Sequence, residues 1–195
     1  MNKLSMLEQL LATNRSVRRF DRSKKISAGL LERLIGLTRL CASGRNLQPL
    51  RYRLVTDNDE CADVFRTLSW AGYYRNWPGP SEKERPVAYI VQCLDTRICT
   101  DCLCDDGLQL EAITLGATAA GASCCIIKAF NGPGLSEILR LPTFYTPRYV
   151  VAMGYAAERV KLVDLGEDGD IRYYRDENDA QCVPKRQISE LLIRP

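Results

Sequence analysis

The pattern of apolar and polar positions predicts helices and strands in mixed order along the chain. Apolar residues recur at helical spacing over 6–13, and Ser27 is a suitable N-cap for a second helix that stops near Ser43. Further helices are predicted over 59–68, 100–121 and 134–141, and strands over 51–56, 87–94, 123–129 and 149–156. This mixed order indicates an α+β fold built in layers.

Length bounds the domain organisation. A chain of 195 residues supports one sizeable core, so residues 1–195 are predicted to form a single domain. Residues 158–195 lack an apolar pattern of their own. We expect this stretch to be an extension that wraps around a partner subunit or around the domain body.

The stretch 70–86 interrupts the regular pattern. Prolines and a glycine break it, and it is rich in large rings, namely Trp70, Tyr73, Tyr74 and Trp77. Two interpretations stay open: a surface loop that tucks its rings into the core, or a lid over a substrate.

Charge is unevenly distributed although the net charge is only +3. Residues 15–25 hold six basic side chains against one Asp, whereas residues 164–179 hold seven acidic side chains against two arginines. The basic run is compatible with a solvated face, a phosphate site or a nucleic-acid-binding module. The last is the weakest hypothesis, because the sequence shows no recognition helix or stacking platform and the rest of the chain is not basic.

Nine cysteines and no histidine restrict the chemistry. The absence of histidine argues against a Ser-His-Asp or Cys-His hydrolase. The odd cysteine number and the absence of a secretory pattern predict a reducing, cytoplasmic location, and no apolar run is long enough for a membrane span. The spacing of Cys99, Cys102 and Cys104, at the start of the predicted long helix, leaves a metal-binding or thiol-redox protein as an alternative.

Two short segments together predict a site for a phosphorylated, planar cofactor. Arg15, Ser16 and Arg18 offer guanidinium and hydroxyl donors of the kind that bind a phosphate. About thirty residues on, Asn46 and Gln48 offer amides that could bind ribityl hydroxyls or ring carbonyls. Either segment alone has an ordinary structural interpretation, as a surface turn.

The order of these and later segments resembles the FMN-dependent nitroreductase family. The matching pieces are Arg15-Ser16-x-Arg18-x-Phe20, Ser43-x-x-Asn46-x-Gln48-Pro49, the small-residue helix 101–121 leading into 121–130, Leu141-Pro142, the strand ending Met153-Gly154-Tyr155, and Lys185-Arg186. The resemblance runs through nearly the whole chain.

The resemblance implies a three-layer α+β fold, with a central, mostly antiparallel sheet flanked by helices, in an interwoven homodimer. It implies FMN at the subunit interface, bound by Arg15, Ser16, Arg18, Ser43, Asn46, Gln48, Ile126, Ile127, Lys128, Ala129, Lys185 and Arg186. Ser43 and Asn46 would come from the other subunit, and the strand end at 126–129 would offer a backbone N–H to the flavin.

The function implied is transfer of hydride from NADH or NADPH to FMN and from FMN to a small acceptor, such as a nitroaromatic or a quinone. The flavin carries the chemistry, so no catalytic side chain, metal, nucleic acid or membrane is expected. The chain departs from the family at Asn14, often an Arg, at Leu50, often an aromatic, and at Lys128-Ala129, often acidic and Gly. No Pro follows the Lys185-Arg186 pair.

Overall fold

The computed structural model describes residues 2–193, and its centre is a four-stranded antiparallel sheet. The strands run in the order β1-β2-β4-β3, so β1 and β3 form the two edges. Their bounds are Leu50–Val55 for β1, Ala88–Asp95 for β2, Ser123–Ile127 for β3 and Tyr145–Gly154 for β4.

Both faces of the sheet are buried, as the alternation along β2 shows. Ala88 and Ile90 point into one apolar cluster, whereas Tyr89, Val91 and Cys93 point into the other. The first cluster lies under helices α2 (Ala28–Thr38) and α4 (Asp105–Ala119), and the second under α3 (Asn58–Thr67) and α5 (Gly132–Ile138). The predicted three-layer α+β fold is confirmed.

Side-chain caps fix the beginnings of three of these helices. The Ser27 hydroxyl accepts from the Leu30 N–H at 3.2 Å, as predicted. The Asp57 carboxylate accepts from two N–H groups at the start of α3, and the Asn131 amide oxygen accepts from the Gly134 N–H at 3.2 Å. These local bonds explain why the sequence pattern alone predicted the beginnings of α2 and α3 accurately.

The N-terminal helix α1 (Lys3–Thr13) has no buried residue. It exposes Leu4, Met6, Leu7 and Leu11, each at least 40% accessible. An isolated helix of this length is marginal in water, so its apolar residues are suited to contact another molecule.

The prediction that the long helix starts near residue 100 is wrong. Leu103 has a φ of +53°, which a helix does not tolerate, and α4 starts only at Asp105. The segment from Cys99 to Cys104 is therefore a loop in front of the helix. Further along, α4 packs tightly on α2, since a Cβ added at Gly116 would clash with a Leu37 methyl group.

A bulge interrupts the pairing of β2 with β4. Gln92 pairs with Tyr149 and Cys93 pairs with Pro147, so Arg148 has no partner on β2. The extra residue directs the Arg148 guanidinium to the Asp106 carboxylate at 3.2 Å.

The C-terminal stretch forms a small mixed sheet that the sequence analysis did not predict. Strand β7 (Gln181–Lys185) lies between β5 (Val160–Asp164) and β6 (Tyr174–Arg175), and the short helix α6 (Ile188–Leu191) follows. The sheet packs on the domain body of its own chain, as the contacts of Arg18, Arg19 and Tyr74 described below show. Of the domain predicted over 1–195, residues 1, 194 and 195 lie outside the described residues.

Within 2–193, no helix is both long enough and apolar enough to cross a membrane.

Candidate functional site

The basic segment predicted to bind a phosphate runs along the free edge of β3. Ser16 forms a parallel bridge with Cys124, and the Val17 N–H donates to the Cys124 carbonyl at 2.9 Å. Val17 and Phe20 are buried in the cluster beneath α3 and α5, whereas Ser16 is exposed. The alternation of the chain thus anchors two apolar side chains and leaves the hydroxyl outside.

Arg15 is partly buried and only partly satisfied. Its Nη2 donates to the Leu11 carbonyl at 2.6 Å. Its Nε is buried and has no partner among residues 2–193. A buried guanidinium N–H without an acceptor is costly, so this atom is suited to an acceptor supplied by another molecule.

Arg18 is held by a carboxylate and an aromatic ring. Its backbone N–H and that of Arg19 donate to Glu158 Oε1, the second at 3.1 Å. Only 2% of the Glu158 side chain is exposed, and its carboxylate also pairs with Arg175. The Arg18 guanidinium lies over the ring of Tyr173, 4.6 Å from its centroid.

The end of β3, predicted to pass beside the flavin, lies at the same sheet edge. Ile126 and Lys128 share one face and are exposed, whereas Ile127 is buried on the opposite face. The Lys128 Nζ donates to the Arg148 carbonyl at 3.0 Å, and the Ala129 carbonyl accepts from the Ser69 N–H at 2.9 Å. Two predicted groups, 15–18 and 126–129, therefore lie together.

The second predicted segment, Ser43 to Gln48, is built around the buried carboxylate of Asp105. The Ser43 hydroxyl donates to Asp105 Oδ2 at 2.5 Å, and the Gly44 N–H donates to Oδ1 at 2.8 Å. The same hydroxyl accepts from the Gln48 N–H at 2.9 Å. Because the Ser43 hydroxyl donates its one proton to Asp105, it has none to donate to a ligand. Its role in this structure is to hold the loop.

The same loop is strained in a way that favours a binding role. Arg45, Asn46 and Gln48 have φ values of +52°, +56° and +50°, which cost non-glycine residues free energy. The Gln48 Nε2 donates to Asn46 Oδ1 at 3.1 Å, so the two predicted amides lie side by side. Both side chains are exposed.

One chain does not bring the two predicted halves to one place. The segment of Arg15 lies at the β3 edge, whereas the segment of Asn46 leads into β1 at the opposite edge. Three strand spacings separate these edges, which is about 14 Å. Helix α4 spans the same gap: Asp105 at its start binds Ser43, and Thr114, nine residues on, accepts a hydrogen bond from the Asn14 side chain at 2.9 Å.

The remaining predicted residues have mixed positions. Trp70 is buried in the core and Trp77 packs against it, whereas Tyr73 is 48% exposed and the Tyr74 hydroxyl donates to Gln181 at 2.8 Å. The interpretation of 70–86 as a surface loop that tucks its rings into the core therefore holds for the two tryptophans. Lys185 ends β7, and the Arg186 guanidinium, just before α6, pairs with Glu190 of that helix at 2.9 Å.

The cysteine alternative gains no support from the geometry. Cys102 is buried and Cys104 is exposed, and burial, followed by the neighbouring Asp106 carboxylate, raises the pKa of the Cys102 thiol. Among residues 2–193, no group of three or more potential ligands is arranged to hold a metal ion. All nine cysteines are free thiols.

The basic run does not present a uniform cationic surface, which disfavours the nucleic-acid alternative. Arg19 pairs with Asp179 at 2.6 Å, and Lys24 pairs with Asp21 at 3.3 Å. The Arg22 guanidinium donates to the Glu82 carbonyl at 3.0 Å.

Three residues important for this geometry were missed by sequence reasoning: Asp105, Glu158 and Tyr173. Each acts on a residue at least 60 positions away in the chain. The only local signal was the clustering of acidic residues at the start of α4, which is also what an ordinary helix N-terminus shows.

Comparisons with known proteins show likeness in structure but not in sequence. No protein-family model matches the chain, and no curated protein matches it closely enough to indicate a relationship. A nitroreductase family protein from Streptococcus pneumoniae has a TM-score of 0.70 at 14% identity, covering 97% of this chain and 100% of its own.

Two further solved structures show the same likeness. An FMN-dependent nitroreductase from Clostridium difficile has a TM-score of 0.65 at 19% identity, over 78% of this chain and 88% of its own. The NADPH:FMN oxidoreductase of Vibrio harveyi, solved with NAD+, has a TM-score of 0.66 at 16% identity, over 83% of this chain and 74% of its own. The chain therefore has the fold of the nitroreductase family proteins.

Proposed function

We propose that this chain is an FMN-dependent oxidoreductase that takes hydride from NADH or NADPH and reduces a small acceptor such as a nitroaromatic or a quinone. Two solved proteins of the same fold are described as FMN-dependent or as an FMN oxidoreductase. The fold alone is compatible with other activities. The proposal therefore depends on the residues at the β3 edge.

The observation that carries the proposal is the buried Arg15 Nε without a partner among residues 2–193, beside the exposed hydroxyl of Ser16. A guanidinium N–H and a hydroxyl at one place suit a phosphate. The same edge holds Arg18 and the exposed end of β3. This donor set fits a mononucleotide whose phosphate lies at Arg15 and whose ring extends along the edge.

Bound FMN would supply the acceptance and release of two electrons, and the protein would bind and shield it. Arg15 and Ser16 would hold the phosphate and ribityl chain. Arg18 would turn from Tyr173 towards the pyrimidine edge, where a cation favours negative charge on the ring. Backbone N–H groups of the stretch 126–129 would donate to the central ring, while Lys185 and Arg186 would close on the phosphate.

The loop of Ser43, Asn46 and Gln48 would reach the flavin of a second copy of the chain. Two observations support this homodimer. The loop lies at the sheet edge opposite Arg15, and α1 presents Leu4, Met6, Leu7 and Leu11 outward. Exposed apolar side chains grouped on one helix are typical of a subunit interface.

We further propose that residues 1–195 act as one domain in a reducing, cytoplasmic compartment. Nine free cysteines, four of them in the two main core clusters, suit an environment that keeps thiols reduced.

The proposal is tested by the visible spectrum of the purified protein, recorded without oxygen before and after addition of NADH and of NADPH. We expect a flavin spectrum, either as purified or after incubation with FMN, that bleaches with at least one of the two nucleotides. A protein that stays colourless after incubation with FMN would refute the proposal.

A further inference from the structure

A groove of about 600 Å³ separates the stretch 70–86 from the C-terminal sheet. Its volume is within the range of small-molecule sites. Four tyrosine rings line it, those of Tyr73, Tyr74, Tyr173 and Tyr174. Three of them contact one another: the Tyr173 centroid lies 4.9 Å from that of Tyr73 and 5.2 Å from that of Tyr74.

The acidic residues of the groove give it a sign opposite to that of the whole chain. Asp164, Asp168 and Asp170 line it together with one cation, Arg172. The charge of Arg172 is paired with that of Asp170, because its guanidinium donates to both carboxylate oxygens at 2.6 to 3.0 Å. Hydrogen bonds from Arg172 lower the pKa of Asp170 to about 2. The charges of Asp164 and Asp168 remain, on exposed side chains.

One of the four rings, that of Tyr173, already binds a planar cation. The guanidinium of Arg18 lies over the Tyr173 ring at 4.6 Å from its centroid, within the range of a cation–π contact. This contact also places the groove next to the residue proposed to reach the flavin pyrimidine. A ligand in the groove would therefore lie beside the proposed cofactor site.

From this combination we infer that the groove binds planar organic cations, compounds with an aromatic ring system that carries a fixed positive charge. The tyrosine faces stack on the ring, and the carboxylates of Asp164 and Asp168, which form no ion pair within residues 2–193, select the sign of the charge. An anionic aromatic compound meets the same rings but is repelled by Asp164 and Asp168. The binding of such cations does not depend on the proposed function. If the chain is the proposed oxidoreductase, the groove would be the site of its electron acceptor, and this role rests on the proposed function.

The test uses three bicyclic aromatic probes of similar size: N-methylquinolinium, its uncharged parent quinoline at mildly alkaline pH, and the anion 2-naphthoate. Binding is measured by titration calorimetry on the full chain, both free of FMN and after incubation with FMN. We expect N-methylquinolinium to bind at least about tenfold more tightly than 2-naphthoate, because attraction and repulsion at exposed charges act in opposite directions.

A double variant, Asp164→Asn with Asp168→Asn, removes both charges and keeps the size of the side chains. We expect it to weaken N-methylquinolinium binding about fivefold, with quinoline binding unchanged. The control, Glu8→Gln with Glu32→Gln, removes two exposed charges outside the groove and leaves the affinity unchanged. Binding of 2-naphthoate equal to that of the cation, no cation binding at all, or an unaffected double variant would overturn the inference.

The outcomes separate this inference from the proposed function. Selective cation binding by a protein whose flavin is not reduced by NADH or NADPH would refute the proposed function alone. A flavin that bleaches in a protein without preference for the cation would refute only the inferred cation binding by the groove.

Discussion

The carboxylate of Asp105 shows how one buried side chain fixes a predicted binding loop. It accepts from the Ser43 hydroxyl and the Gly44 N–H, and Ser43 in turn accepts from the Gln48 N–H. Three residues of that loop have positive φ values, so the loop needs these bonds to keep its shape. Asp105 thus holds the loop that carries Asn46 and Gln48.

Replacing Asp105 by Asn tests this positioning role. The amide keeps one acceptor and loses the other, so the Ser43 hydroxyl or the Gly44 N–H is left without a partner. We expect a loss of about 1–2 kcal/mol in the free energy of unfolding and about tenfold weaker FMN binding, measured by urea denaturation and by quenching of flavin fluorescence.

The control for this variant is Asp63→Asn, which affects an exposed pair with Arg66 on α3. It should change the free energy of unfolding by less than about 0.5 kcal/mol and leave FMN binding unaltered. An Asp105→Asn protein that binds FMN as tightly as the parent would show that the loop does not contact the cofactor.

At the residue scale, sequence predicted which residue types lie near one another but not how they are bonded. The structure places Arg15, Ser16 and the end of β3 at one sheet edge. Ser43, by contrast, uses its proton on Asp105, which is 62 positions away. No local pattern carries that information, because the contact exists only once α2 and α4 have packed together.

At the scale of elements, the apolar strands show how burial controls ionisation. Burial raises the pKa of the thiols of Cys93 on β2 and Cys124 on β3 to about 12, and burial, with smaller contributions from nearby carboxylates, does the same for Cys61 on α3. The ordinary value for an exposed thiol is about 8.5.

These shifts predict the direction in which stability changes with pH. Below the ordinary thiol pKa, the folded and the unfolded chain both hold the proton. Above it, only the unfolded chain loses the proton, up to about pH 12, so the native state loses stability as the pH rises through this window. Each thiol should contribute a slope of about 1.4 kcal/mol per pH unit.

The measurement is the free energy of unfolding in urea at several pH values within this window. We expect the Cys124→Val variant to show a slope smaller than that of the parent by about 1.4 kcal/mol per pH unit. The variant Cys104→Ser, which changes an exposed thiol, serves as the control and should keep the parent slope. Parallel curves for all three proteins would contradict the assigned pKa.

The sequence predicted elements best where periodicity and caps agree. Ser27 and the apolar stripe after it placed α2, and the continuous apolar run placed β2. The predicted beginning of α4 was wrong because Leu103, whose N–H donates to the Asp101 carboxylate, has a positive φ that the helix propensity of leucine does not indicate. Strands β5, β6 and β7 were missed because they are only two to five residues long, and no residue of β5 or β6 is fully buried.

For the whole molecule, we propose that one flavin site combines residues from two copies of the chain. The half with Arg15 lies at the β3 edge and the half with Asn46 and Gln48 beside β1, about 14 Å apart across the sheet. The three-layer architecture was predictable from sequence. The resemblance assigned Ser43 and Asn46 to the other subunit, but the residue pattern alone does not show that the two halves are separated. That separation depends on the order β1-β2-β4-β3, which pairs strands distant in the chain.

Complementation between two defective variants tests this claim most directly. Arg15→Ala removes the phosphate half, and Asn46→Gly with Gln48→Gly removes the amide half while tolerating positive φ. Each variant alone should retain little FMN. A mixture refolded together from equal amounts should regain about one quarter of the parent FMN content, since half of the dimers are mixed and each has one intact site of two. A mixture that retains no more FMN than either variant alone would contradict a site shared between two subunits.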